Sequence, residues 1–200
     1  MKIIGLAGES GTGKSSIAEH LKSRGGGHID ADRLGHELLE TDAAVRAKIL
    51  RYFGPDVFTS EGSVDRKKLG EMVFRDGELL KVLNRILHPR IIEACLKRLD
   101  QLQQDGFEFV VIDAALLLEV DLPFHMDVAI ALRCDKEEQI RRLRAKGGAT
   151  EEEIRLRLKS QVDLESSFHN ADIIIDTDGE LSQVLAEVDA IVDDVLDRNT

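Results

Sequence analysis

The sequence has few cysteines and no long apolar run. Its 200 residues include only two cysteines, Cys95 and Cys134, whose wide separation does not fit a metal-binding pattern. Cys95 lies on an apolar helical face, which favours a reduced core cysteine. No apolar segment approaches the ~20 residues that span a bilayer, and the N-terminal segment lacks the apolar core and cleavage site of a secretory signal. We therefore predict a cytoplasmic protein with no membrane partner.

Positive charge is also scarce. Lys and Arg number 27 against 38 Asp and Glu, which gives a net charge of −11. General nucleic-acid binders are expected to be basic, so we predict no nucleic-acid partner. The length favours one domain, or one domain with a lid, and such a chain needs no disulfide or structural metal to fold. If the protein binds anionic ligands, its positive groups must be concentrated locally.

Apolar strands alternate with helical segments along the chain. We predict strands at 2–6, 28–30, 107–112, 127–132 and 173–175. We predict helices through most of 42–105, through the charge-rich segment 136–161, and at 181–196. This alternation indicates a three-layer α/β/α fold in which a parallel five-stranded sheet is covered on both faces.

A phosphate-binding loop follows the first strand. Residues 8–15 read GESGTGKS and fit G-x-x-x-x-G-K-[ST], with a strand before the motif and a helix after it. Glycines let backbone N–H groups point at phosphate oxygens, and the helix N-terminus adds its positive dipole end. Lys14 is expected to reach the β- and γ-phosphates, and the Ser15 hydroxyl to bind Mg²⁺. The residues predicted to bind the nucleotide here are Gly8, Gly11, Thr12, Gly13, Lys14, Ser15 and Ser16.

Acidic residues follow two of the predicted strands, and no guanine-reading N-K-x-D is present to favour a GTPase. Asp113 ends an apolar strand, where it could hold a Mg²⁺-bound water at the sheet's carboxyl edge or cap a turn. Asp30 and Asp32 lie two apart, so in extended geometry their carboxylates share a face. Asp32 is the candidate general base of a small-molecule kinase. Its alternative role is the N-cap of a helix that begins at Arg33.

The segment 137–161 is typical of a lid. Its basic residues before the Gly147–Gly148 break are Arg141, Arg142, Arg144 and Lys146. Thr150 and Glu153 then form a capping-box pair that opens a second helix. Two helices joined by a flexible turn could swing basic groups over phosphates, and an arginine can bridge phosphates or stack on adenine. The alternative is a solvated helix in which Glu137 and Glu138 pair with Arg141 and Arg142.

Further short pieces complete a family pattern. His88-Pro89, taken alone, is more typical of a helix start with Pro at the first position. The other pieces are Ile29-Asp30-Ala31-Asp32, Phe53-Gly54, Asp65-Arg66 with Leu69, Val73-Phe74, Leu83-Asn84, Leu116-Leu117 with Glu119, Gln139 with Arg142, Gln161, Ala171-Asp172 and Ile175-Asp176. In order and spacing, these pieces and the phosphate loop resemble the dephospho-CoA kinase family over nearly the whole chain.

The resemblance implies a P-loop NTPase-type fold, ATP and Mg²⁺ as cofactors, and transfer of the γ-phosphate to the ribose 3′-hydroxyl of dephospho-CoA. It implies a nucleotide-binding core (about 1–34, 106–136 and 163–200), a helical acceptor-binding region (about 35–105) and a lid (about 137–162). By motif match, Asp32 is the base, and Arg142 and Thr177 lie near ATP. The implied acceptor-site residues are Asp32, Arg66, His88, Pro89, Leu116 and Lys146. We expect a monomer or a small homo-oligomer.

The sequence departs from the family's usual residues at several positions. Ala115 replaces a proline, Leu118 a bulkier residue, and Thr177 an asparagine, while Lys146 keeps the charge of the usual arginine but loses its bidentate fork. Glu9 replaces a glycine, which predicts one acidic group inside an otherwise basic cleft. Two alternatives therefore stay open: another P-loop kinase acting on a nucleotide or a sugar acid, and an ATP-binding regulator with weak activity.

Overall fold

The chain builds one parallel sheet, seen in a computed structural model that describes residues 1–115, 117–148, 150–160 and 164–198. The strands are β1 (Lys2–Gly8), β2 (Gly27–Asp30), β3 (Phe109–Ala114), β4 (Val128–Arg133) and β5 (Ile173–Asp176). Their order across the sheet is β2-β3-β1-β4-β5, and all pairs are parallel. The predicted α/β class and five-stranded parallel sheet are confirmed.

Eight α-helices of the described residues accompany the sheet. They are α1 (Lys14–Ser23), α2 (Ala31–Thr41), α3 (Ala43–Phe53), α4 (Arg66–Arg75), α5 (Gly77–Gln104), α6 (Lys136–Lys146), α7 (Glu151–Ser160) and α8 (Leu181–Asp197). Short 3₁₀ turns lie at Pro55–Val57, Leu117–Glu119 and Leu164–Asn170. None of these helices combines the length and apolar character that crossing a bilayer requires.

The three central strands β1, β3 and β4 are largely buried because they carry apolar residues in near-continuous runs, as parallel strands must when both faces are covered. Every residue of β3 is buried. On one face, Ile4 and Leu6 of β1 pack with Ile17 of α1 and Val188 of α8 in a single apolar cluster. This cluster fixes β1 and α1 on either side of the phosphate loop.

The chain divides into two compact units. The first comprises Met1–Asp30 with Leu99–Thr200, and the second comprises Ala31–Arg98. The first unit contains the sheet together with α1, α6, α7 and α8. The second unit is helical and has its own apolar core, in which Val45, Ile49 and Val57 are fully or almost fully buried.

Two predictions about helix starts were wrong. Pro89 lies inside α5 rather than at a first helical position. That helix continues through the proline because Leu87 before it and Ile91 after it both pack in the core of the second unit. Asp32 is not an N-cap, because α2 already begins at Ala31. A carboxylate in the first turn still faces the positive end of the helix dipole.

An ion-pair network joins α1 to α8. Asp189 Oδ1 lies 2.8 Å from both His20 Nε2 and Arg24 Nη1, and Arg24 Nη2 donates to Asp193 at 2.6 Å. Burial raises the pKa of the Asp189 carboxyl, but hydrogen bonds from His20 and Arg24 outweigh that effect and leave the pKa below its usual value. The network therefore stabilises the fold above the carboxyl's unfolded pKa of about 4, and this stabilisation is lost as pH falls through the lower folded pKa.

Asp189→Asn is expected to lower the melting temperature at pH 7 by about 2–4 °C, because the loss is of the order of 1 kcal/mol. The difference in melting temperature between this variant and the unmodified protein should shrink as pH falls below about 3. Thermal unfolding followed by circular dichroism measures both effects. Asp194→Asn is the matched control, since Asp194 on the same helix pairs with the exposed Arg198 of the same helix end. Equal melting temperatures for the two variants would contradict the assignment.

Candidate active site

The phosphate loop joins the end of β1 to the start of α1. Gly11 and Gly13 have φ values of 89° and 97°, a region that glycine occupies without a side-chain clash. Thr12 Oγ1 donates to the carbonyl of Glu9 at 2.8 Å, and Lys14 Nζ donates to the carbonyl of Gly8 at 2.7 Å. Gly13 is the N-cap of α1 and supplies no side-chain cap, so N–H groups of the first turn are available to an anion.

Gly11 is required by both its backbone angle and its surroundings. A Cβ at this position would lie 3.0 Å from the carbonyl oxygen of Gln139 and 3.1 Å from its Cα. A side chain there would therefore have to displace the backbone of α6 in addition to adopting a left-handed conformation. The loop can curl at this point only because residue 11 has no side chain.

Gly11→Ala is expected to weaken ATP binding at least tenfold, since the loop and α6 cannot both keep their places. Gly25→Ala is the matched control: Gly25 has a φ of 92°, but nothing lies within 4 Å of its Cβ position. Both variants incur the ~1–2 kcal/mol cost of a side chain in a left-handed conformation, but only at Gly11 does the new Cβ also crowd α6, so only the Gly11 variant should lose nucleotide affinity. Calorimetric titration with ATP measures this, and equal affinities would contradict the loop assignment.

A cavity of about 750 Å³ opens above the loop, within the first unit. Gly11, Gly13 and Ser16 line it from one side, and Arg142 and Thr177 line it from the other. Its size is in the range of pockets that hold small organic ligands. Lys146 also lines it, four residues after Arg142 and hence on the same face of α6.

Arg142 is held in place at the wall of this cavity. Its Nε donates to Glu138 Oε1 at 2.7 Å, and its Nη2 donates to the carbonyl of Thr177. Hydrogen bonds from Arg141 and then Arg142 lower the pKa of the Glu138 carboxyl to about 2. Glu138 is therefore charged at physiological pH, and the guanidinium is pre-positioned rather than free to rotate.

The two helices of the predicted lid pack on each other. Ile140 of α6 and Ile154 of α7 share an apolar cluster, and Gly147 and Gly148 between the helices both have positive φ. The capping box is confirmed by hydrogen bonds between Thr150 and Glu153 in both directions.

The alternative prediction of a charged helix is confirmed in part. Glu138 pairs with both Arg141 and Arg142. Glu137, in contrast, pairs with Arg155 of α7. Pairing with Glu138 does not remove Arg142 from the cavity, so the ion pairs and the cavity-lining position coexist.

Asp113 lies at the carboxyl edge of the sheet, as predicted, and is buried within β3. Its Oδ2 lies 2.6 Å from His28 Nε2 on β2, so the carboxylate contacts a neighbouring strand instead of capping a turn. In the pairing of β1 with β3, Asp113 lies beside Leu6, which is two residues before Gly8 of the loop. In the described part of the chain, no three His, Cys, Asp or Glu side chains cluster as a metal site.

Mg²⁺ in a kinase needs few protein ligands. The ion keeps several waters, and it is bound by the substrate's phosphates together with one or two protein groups. Ser15, in the first turn of α1 after the loop, and Asp113 at the same edge of the sheet fit such a role.

The predicted acceptor-site residues lie in the second unit, apart from Lys146 and Leu116. Asp32 is exposed in the first turn of α2, and Arg66 is exposed at the first residue of α4, after the N-cap Asp65. His88 and Pro89 are adjacent on α5. Burial lowers the pKa of His88, which favours its neutral ring at neutral pH. Leu116 and Gln161 lie outside the described residues.

Comparison with known proteins agrees with this geometry. The sequence model of the dephospho-CoA kinase family (CoaE) matches residues 2–183. The chain belongs to the dephospho-CoA kinase family.

Individual relatives support the family assignment. A dephospho-CoA kinase of Corynebacterium glutamicum is 35% identical over 195 residues, which cover 98% of each chain. Among solved structures, TT1252 from Thermus thermophilus has a TM-score of 0.78 at 27% identity, over 96% of this chain and 97% of its own. The dephospho-CoA kinase from Campylobacter jejuni has a TM-score of 0.65 at 27% identity, over the whole of both chains.

Several residues around the site were not predicted from the sequence. The turn after β5 includes Asp178 and Gly179, and both residues line the cavity above the loop. This turn could have been predicted from the sequence, because residues 176–179 follow a strand and ligands bind at the carboxyl ends of parallel strands. Nothing in the local sequence links His28 to Asp113, because the two lie 85 positions apart and meet only through strand pairing.

Proposed function

We propose that this protein transfers the γ-phosphate of ATP to the ribose 3′-hydroxyl of dephospho-CoA, giving CoA and ADP. The observation that carries the proposal is the family match over residues 2–183, because it spans the phosphate loop, Asp32 and the lid together. The preformed loop and the adjoining cavity support the ATP half of the reaction.

On the ATP side, the chain's own groups neutralise and align the phosphates. Backbone N–H groups of Gly11, Gly13, Lys14 and Ser15 surround the phosphates, and Lys14 exchanges the carbonyl of Gly8 for the β- and γ-phosphate oxygens. Arg142 lies beside the base or the outer phosphates, and Thr177 lines the same wall. Ser15, and Asp113 through a water, would hold Mg²⁺, which would supply further charge neutralisation. Positioning and electrostatics provide most of the rate in such transfers.

On the acceptor side, the 3′-oxygen forms a bond to the γ-phosphorus while the bond from that phosphorus to the β–γ bridging oxygen breaks. Asp32 accepts the proton of the 3′-hydroxyl, and ADP leaves. Arg66 and Lys146 supply positive charge for the acceptor's phosphates. His88 and Pro89 line the acceptor. We also propose a cytoplasmic monomer or small homo-oligomer.

The test is a panel of acceptors offered to the purified protein with ATP and Mg²⁺. Dephospho-CoA, shikimate, deoxyadenosine and a nucleoside monophosphate are each supplied, and ADP release and product mass are recorded. We expect dephospho-CoA to exceed every other acceptor in kcat/KM by at least ~10³-fold, because its whole length can bind. Preferential phosphorylation of another acceptor would overturn the substrate assignment. ATP binding without transfer to any acceptor would favour the regulator instead.

A further inference from the structure

The Glu9 side chain contacts Gln139 of α6 and does not line the cavity above the phosphate loop. Its Oε2 accepts a hydrogen bond from Gln139 Nε2 at 3.1 Å. Among the described residues, Glu9 lines a second cavity of about 390 Å³, which also includes Cys134 and Gln139. The first cavity is lined instead by Gly11, Thr12 and other residues beyond Glu9 in the loop. Glu9 is therefore not among the described residues that line the first cavity, whose acidic groups are Glu138, Asp178 and Glu180, and its carboxylate is hydrogen-bonded to Gln139 instead.

Gln139 is a polar side chain in a buried position. It is only 2% exposed, a setting in which an apolar residue would be the simplest way to pack. Its amide nitrogen donates to Glu9 and to the carbonyl of Cys134, each at 3.1 Å. Its Oε1 is buried, and no partner for it lies among the described residues. An unpaired buried oxygen is unfavourable, so stability alone does not explain a glutamine here. Its two donated hydrogen bonds instead tie Glu9 of the loop to the carbonyl of Cys134.

The backbone of Gln139 meets the loop as well. The carbonyl oxygen and Cα of Gln139 are the atoms nearest to Gly11, at 3.0 and 3.1 Å from where its Cβ would stand. One residue of α6 therefore contacts the loop at two points, by backbone at Gly11 and by side chain at Glu9. Arg142, one turn later on α6, lines the nucleotide cavity.

We propose that Gln139 is a positioning residue that turns the Glu9 carboxylate away from the bound phosphates and so preserves ATP affinity. The inference rests on the proposed function only in that ATP is the ligand of the loop. A glutamate inside a phosphate loop repels a triphosphate if its flexible side chain is free to approach, since like charges within a few ångströms repel strongly at low local dielectric. The hydrogen bond to Gln139 removes that freedom.

The experiment measures the dissociation constant of ATP by calorimetric titration in four variants. Gln139→Met keeps the length and apolar bulk of the side chain but removes both donors, and we expect about tenfold weaker binding. Glu9→Gln removes the charge and should bind ATP at least as tightly as the unmodified protein. In the Glu9→Gln background, adding Gln139→Met should then raise the dissociation constant of ATP less than about twofold. Glu9→Asp keeps the charge but shortens the reach to Gln139, and it should weaken binding without altering α6.

Ionic strength provides a second readout. A merely structural role for Gln139 predicts the same loss of affinity with Glu9 or Gln at position 9, at every salt concentration. Our proposal predicts that the loss appears only with Glu9 and shrinks between low and high salt, because repulsion is screened. Equal losses in both backgrounds would overturn it, and so would wild-type ATP affinity in the Glu9→Asp protein. Failure of the unmodified protein to bind ATP would instead refute the proposed function, so the two failures are distinct.

Discussion

Lys14→Met is expected to lower kcat/KM by about 10²–10³-fold or more, because it removes a positive charge aimed at the phosphates in the transition state. In the structure, Lys14 Nζ already lies 2.7 Å from the carbonyl of Gly8 at the start of the loop. Methionine keeps most of the side chain's length and its helix propensity, so the fold and α1 should persist. Initial rates with ATP varied at saturating dephospho-CoA, together with ATP titration, separate the loss of binding from the loss of turnover.

Lys22→Met is the matched control for that experiment. Lys22 lies on the same helix, its side chain is 58% exposed, and its ion pair is with the exposed Glu19. Its replacement should change kcat/KM by less than twofold, since exposed pairs contribute little. If the Lys14 and Lys22 variants had the same kinetics, the loop would not be the site of ATP binding.

Asp32→Asn should lower kcat by about 10²-fold or more while the affinity for ATP changes by no more than a few-fold. The amide is nearly isosteric with the carboxylate but cannot accept the proton of the attacking hydroxyl. Because Asp32 is exposed in the first turn of α2, the substitution should leave packing intact. Single-turnover measurements at saturating ATP report the chemical step directly.

Glu37→Gln on the same helix controls for loss of a negative charge. Glu37 pairs with Arg33 on an exposed face, so this variant should turn over at the unmodified rate. Full turnover by Asp32→Asn would remove Asp32 from its proposed role and require another base.

The architecture of the first unit could be predicted because its signals are local. A strand, a glycine-rich loop and a helix follow one another within residues 2–23, and the central strands β1, β3 and β4 are mostly apolar runs. The capping box of Thr150 and Glu153 was predictable for the same reason, since its two residues are three apart.

Other features depend on contacts that no local pattern encodes. Pro89 resembles a helix start until the packing of residues on both sides of it is known. The orientation of Glu9 is set by Gln139, which lies 130 positions away. The net charge of −11 likewise gave no hint that one acidic side chain in the loop is turned toward a different cavity. Tertiary packing determines both the place of Pro89 within its helix and the orientation of Glu9. The sequence near each residue is compatible with a helix start or a helix interior, and with either orientation of the carboxylate.

The fate of labelled phosphate tests the central claim most directly. The protein is incubated with ATP labelled in the γ-phosphate, Mg²⁺ and dephospho-CoA, and the product is treated with a phosphatase specific for ribose 3′-phosphates. We predict that the label enters a product with the mass of CoA and is then fully released by that phosphatase. Label found only in inorganic phosphate, or in a product that resists the 3′-specific enzyme, would contradict the account.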